Sequence, residues 1–167
     1  MIKKIVLLST LFIGMVTHSY AQSPELEVFD NLVGSLWKAE HTWANGSVFR
    51  QEYEFEWSLN KTLVKVKTYG FIDEQQSSYG LRNEGIRSWD SSKNEGQFYE
   101  FDIFGGTTKG VMIIEGYNIY YDYEYDGAKL RDAWELVDND TYSYTIGTFE
   151  NGEWGAKYLE TEIKRVK

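Results

Sequence analysis

Beyond residue 21 the chain holds one histidine, His41, standing between Trp37 and Trp43 in GSLWKAEHTW, residues 34–43. Imidazole titrates near neutral pH and is a common metal ligand, so the position invites a metal, a haem or a proton transfer. An extended backbone turns successive side chains to opposite faces. Trp37, Ala39, His41 and Trp43 then share one face, and Lys38, Glu40 and Thr42 the other. Zinc requires three or four His, Cys or carboxylate ligands, and haem requires an axial ligand in a pocket. With no cysteine and no second histidine past His18, a conventional zinc cage is excluded. His41 is expected inside, as a hydrogen-bonded core imidazole or as a polar group facing a ligand.

Three other features carry chemistry. Glu100 with Asp102, and Asp122 with Glu124, alternate along the chain at about the spacing that glycoside hydrolysis needs, provided one carboxyl sits in an apolar pocket. In an acidic protein with half-exposed strands such pairs belong on the solvent face, and that reading is preferred. Arg87, in EGIRSWD, shares a face with Trp89. A buried guanidinium is costly unless paired, so if it faces inward it pairs with an acid or receives an anionic head group. In YNIYYDYEYDG, residues 117–127, one face carries Tyr117, Ile119, Tyr121, Tyr123 and Tyr125. These rings are either cavity walls whose hydroxyls orient a ligand, or cross-strand packing. No serine nucleophile elbow, phosphate loop or metal motif is present.

The elements that must position these groups are mostly strands. FRQEYEFEW, residues 49–57, sets Phe49, Gln51, Tyr53, Phe55 and Trp57 against Arg50, Glu52, Glu54 and Glu56, the alternation of a half-buried antiparallel strand. Similar segments recur between turn signals such as Asn45-Gly46, Gly105-Gly106, Asp126-Gly127 and Asn151-Gly152. About ten strands are predicted, over residues 35–44, 47–58, 62–72, 79–89, 97–104, 107–114, 117–125, 129–137, 141–149 and 154–166. Connections this short rule out parallel crossovers, so consecutive strands pair as hairpins. Closing the meander into an up-and-down barrel removes both exposed edges. Ahead of it, SPELEVFDNLVG has Leu26, Phe29, Leu32 and Val33 at helical spacing before Gly34, which predicts a short helix within residues 22–33. The barrel then occupies residues 34–167.

The first 21 residues read as an export signal: Lys3 and Lys4, an apolar run from Ile5 to Val16, and small residues at Ser19 and Ala21. That run is too short to span a bilayer, and no later segment approaches the required length. Removing 21 of 167 residues leaves 146, the size of a single domain, without a disulfide to staple it. The signal takes two of the 17 basic residues and none of the 26 acidic ones, so the remainder carries about −11. Nucleic acid and anionic lipid are repelled by such a charge. An exported protein in a periplasm or outside the cell is expected.

A short helix, a glycine and tryptophan opening the first strand, a meander and an arginine on the last strand together resemble the lipocalin and calycin superfamily. The motif here is Gly34-Ser35-Leu36-Trp37, one residue longer than the superfamily's spacing. The chain is more similar still to lipocalin-like domains of unknown function in exported bacterial proteins, in its LVGSLW opening, its GIRSWDSSKNEGQF segment and its late arginine. The resemblance implies a barrel whose closed end is capped by Trp37 with Arg165 packed over it. Haem-binding barrels of similar layout carry a late axial histidine, and the late strands here have none.

The expected function is therefore binding of a small apolar or amphipathic molecule inside an all-β antiparallel barrel, with no catalytic residue, metal or cofactor assigned. The cavity is expected to be lined by His41, Trp43, Tyr53, Phe55, Trp57, Arg87, Trp89, Tyr121, Tyr123, Trp134 and Tyr144. Two alternatives stand beside it: a calycin-type enzyme using tyrosine, arginine and carboxylate chemistry, and a module binding protein or glycan through its outer surface.

Overall fold

A computed structural model describes residues 23–166; the export signal expected over residues 1–21 lies outside the described residues. Ten antiparallel strands follow one another: β1 (Leu36–Thr42), β2 (Val48–Ser58), β3 (Leu63–Phe71), β4 (Tyr79–Asp90), β5 (Glu95–Asp102), β6 (Thr107–Glu115), β7 (Asn118–Tyr125), β8 (Ala128–Asp138), β9 (Thr141–Glu150) and β10 (Glu153–Val166). Each pairs with its neighbours in sequence, and β1 pairs with β10, closing the sheet into an up-and-down barrel. Two hairpin turns show why the sequence folds this way. Asp126-Gly127 and Asn151-Gly152 adopt positive φ at both residues, 50° and 74°, then 55° and 85°, and a twist-matched two-residue turn requires this at both central positions.

The predicted helix forms over Pro24–Asn31 as a 3-10 helix rather than an α-helix. It buries Leu26, Val28, Phe29 and the following Leu32 against one end of the barrel. Trp37 is fully buried there, and its indole Nε1 donates to the Leu32 carbonyl at 3.1 Å. Val64, Met112, Ile119, Tyr142 and Ile163 complete this apolar floor. Arg165 lies across it, its guanidinium carbon 4.4 Å from the Trp37 ring centroid. Nη2 donates to the Asn31 carbonyl, to Asn31 Oδ1 and to the Asn139 carbonyl at 2.7–2.9 Å, while Nε pairs with Asp140 at 3.0 Å.

Closure is uneven. Only Leu36, Trp37 and Lys38 of β1 register with Val166, Arg165 and Lys164 of β10, whereas β1 and β2 register from Leu36 through Thr42. The second half of β1 therefore runs away from β10, and the Ala44 amide rejoins it by donating to the Tyr158 carbonyl at 2.9 Å. Among the described residues no helix is long and apolar enough to cross a membrane.

Candidate functional site

Between the plugged end and the far loops lies a cavity of about 450 Å³, within the usual range for small-molecule sites. Its lower wall is aromatic. Trp134 of β8 meets Tyr53 and Phe55 of β2 at 4.9 and 5.7 Å and Tyr144 of β9 at 5.3 Å, all edge to face. Such pairs each contribute about 0.5–1.5 kcal/mol beyond burial and hold the rings in fixed positions. Period-two alternation turns them inward: Tyr53 with Phe55 on β2, Trp134 with Asp132 on β8, Tyr144 with Ile146 on β9.

One polar cluster sits on β4 and β5. Arg87, 4% exposed, pairs with Glu100 Oε1 through Nη2, and its guanidinium carbon lies 4.7 Å from the Tyr121 ring centroid and 5.4 Å from that of Phe98. Asn83 Nδ2 donates to the second Glu100 oxygen at 3.4 Å. Gly85 lies directly beneath this pair: a Cβ there would stand 2.5 Å from the Tyr99 carbonyl oxygen and 2.8 Å from Glu100 Cγ. Among the described residues, two buried polar atoms, Asn83 Oδ1 and Arg87 Nε, have no hydrogen-bond partner.

The second cluster is built on Asp132. Tyr123 of β7 donates to its Oδ1 at 2.8 Å, and Tyr144 of β9 donates to its Oδ2 at 3.1 Å. Among the described residues no lysine, arginine or histidine forms an ion pair with it. Burial is the main reason its carboxyl is pushed up to about 7; the nearby Glu100 charge adds to this, and the two phenols and Arg87 pull the other way. Burial also raises Tyr123, Tyr144 and Tyr53 above the ordinary phenol range, so these hydroxyls remain donors at any physiological pH.

Of the residues expected at the cavity, Trp43, Tyr53, Phe55, Arg87, Tyr121, Tyr123, Trp134 and Tyr144 line it. Three do not. His41 faces the same side as Phe49, its β2 partner, but lies past the last β1–β10 pair and is exposed. Trp57 packs at the plugged end, its Nε1 donating to Asp30 at 3.1 Å. Trp89 lies partly buried near the same end, opposite Gly96. Both belong to inward faces, but too far down the barrel to reach the cavity.

The expected solvent position of Glu100 and Asp102 is also corrected: both follow Phe98 around the inward face of β5 and line the cavity. Asp122 and Glu124 point away from it, Asp122 binding Arg131 through two bonds of 2.6 and 2.7 Å. Asp132 was the residue missed. Its signal was available two positions before Trp134, on the face already expected to point inward. Among the described residues no group of His, Cys or acidic side chains is placed to hold a metal ion.

The closed ten-stranded antiparallel barrel fits a lipocalin- or calycin-like fold. No family model matches the chain, and no curated protein matches it.

Proposed function

We propose that this chain is an exported, lipocalin-like protein that binds a small, partly apolar molecule inside its barrel. The observation that carries the reading is the cavity of about 450 Å³ with fixed aromatic walls and a few convergent polar groups, the composition typical of small-molecule sites. The plugged end supports it too. With Trp37, Phe29 and Leu32 fully buried on one side, a ligand has the far loops as its way in. Export is inferred from residues 1–21, whose basic start, apolar run and small residues match a cleavable leader.

Native mass spectrometry of the protein purified from its producing cells, with and without denaturation, tests the reading. A bound mass released by denaturation is expected. A bare polypeptide mass, together with failure to take up an apolar fluorescent dye, overturns it.

One observation favours a second reading, an enzyme. Asp132, with its carboxyl pushed to about 7 and two phenols against it, has the proton affinity of a general acid or base working near neutral pH. That reading predicts hydrolytic turnover that is lost in Asp132→Asn, whereas a carrier shows none.

A further inference from the structure

We propose that the ligand carries a protonated amine on an aromatic body, with the ammonium at Asp132 and the ring against Tyr53, Trp134 and Tyr144. This deepens the carrier reading and rests on it. The other charged groups of the cavity wall have partners within the protein. Arg87 is neutralised by Glu100. Arg82 donates to the Phe71 carbonyl and lies over the Phe104 ring at 5.1 Å. Asp102 accepts from the backbone amides of Phe104 and Gly106 at 2.9 and 2.8 Å. Asp132 faces the cavity with no ion-paired cation and no backbone amide, only one phenol on each oxygen. A carboxylate oxygen accepts a further hydrogen bond beyond these.

Of the two unmatched atoms, the acceptor favours the same class; the other, Arg87 Nε, is a donor that an ammonium does not serve. Asn83 Oδ1 is a buried acceptor on the cavity wall with no donor, and a ligand rich in N–H groups is the kind that serves acceptors. An anionic ligand finds the Arg87 charge already taken and meets repulsion from Glu100, Asp102 and Asp132, with only Arg82, held by a carbonyl and a ring, to offset it. A purely apolar ligand leaves Asp132 and Asn83 unserved, at the cost of desolvating both. The aromatic faces around Asp132 suit an organic cation in two ways, through ring contacts and through cation–π attraction.

Asp132 is faced by Tyr121 and Tyr123 from β7, Tyr144 from β9, Tyr53 from β2, Glu100 from β5 and Arg87 from β4. The phenols stay protonated near neutral pH, and Asp132, its carboxyl pushed up by burial, is the group whose proton moves. An ammonium seated beside it favours the carboxylate, and binding at pH 7 releases a proton to solvent.

The test is calorimetric titration of the protein with three matched probes: indole-3-ethylamine, indole-3-ethanol and indole-3-propionate. The amine is expected to bind about tenfold or more tighter than the alcohol, the increment of a charge-assisted hydrogen bond. Its heat at pH 7 is expected to depend on buffer ionisation enthalpy in the sense of proton release. In Asp132→Asn the amine preference and the proton release are both lost while the alcohol still binds. Equal or tighter binding of the alcohol or the acid by the unaltered protein overturns the amine assignment and leaves the carrier reading standing. Failure of all three probes, with no uptake of an apolar dye, overturns both.

Discussion

Trp37 and Arg165 are direct cross-strand partners in the β1–β10 ladder, and the guanidinium of one stacks on the indole of the other. The same arginine ties the N-terminal 3-10 helix, through Asn31, to the β8–β9 turn, through Asn139 and Asp140. Arg165→Ala removes all of these contacts at once. An expected loss of about 2–4 kcal/mol follows from several charge-assisted hydrogen bonds and one cation–π contact. Arg165→Lys, which keeps the charge without the planar fork, recovers less than half. Urea denaturation of the three proteins checks this; equal midpoints for wild type and Arg165→Ala would show that the plug holds without its clasp.

Glu100 neutralises a guanidinium that is almost wholly buried. Glu100→Gln leaves Arg87 without its counter-charge and is expected to cost about 3–5 kcal/mol. Adding Arg87→Met to that variant should restore most of the loss, since removing both partners removes the uncompensated charge. The double-mutant cycle by chemical denaturation reads the coupling, and additive losses would refute it.

Gly85 makes room for that pair, because a methyl group there would collide with the Tyr99 carbonyl and the Glu100 stem. Gly85→Ala is expected to destabilise the barrel by about 1–3 kcal/mol and to weaken probe binding, since the strand has to shift where the cavity is lined. Gly34→Ala provides a contrast: its cost comes from positive φ alone, with nothing within 4 Å of the added carbon, so cavity binding stays unchanged.

Asp132 gives stability a definite pH dependence. Its folded carboxyl titrates at about 7 against an ordinary value of 3.8, so the folded state holds the proton more tightly than the unfolded chain. The associated stability is fully present below about pH 4, is lost as pH rises through 7, and stays flat above that. At about 1.4 kcal/mol per tenfold change in proton affinity, the effect is capped at about 4 kcal/mol. Asp132→Asn abolishes this slope and is more stable than wild type at pH 8. Thermal melts of both proteins from pH 4 to 9 test it; parallel curves would contradict a buried, uncompensated carboxyl.

The fold was legible because one rule applied almost everywhere. Alternation in segments such as residues 49–57 gave strand, face and pairing together, and the Gly-containing turns marked the ends. What alternation does not supply is depth along the barrel axis. His41, Trp57 and Trp89 belong to inward faces, yet lie at the rim or beside the plug. Depth is set by strand stagger, a property of ten strands together. Charge misled in the opposite direction. Glu100 and Asp102 read as solvent-facing because most carboxylates are, whereas here Arg87 and the backbone amides of a turn supply the partners that make an inward position tolerable. Those partners come from a neighbouring strand or a later turn, and no local pattern announces them.

The short β1–β10 ladder bears on how the molecule assembles. Every other pair of neighbouring strands is a hairpin and can zip from its turn, but Arg165 and Ser35, joined across the closing seam, are 130 residues apart. Bringing such distant segments together carries the largest loop-closure cost in the chain, and the ladder there has only three register pairs beside the Arg165 contacts and the Ala44–Tyr158 bond. Closure is accordingly expected to be the final event, following formation of the meander. Substitutions at Trp37 or Arg165 should then leave the refolding limb of a chevron nearly unmoved and speed unfolding by almost the whole of their effect. The seam acts as the kinetic latch of the barrel, deciding how long a completed molecule stays shut.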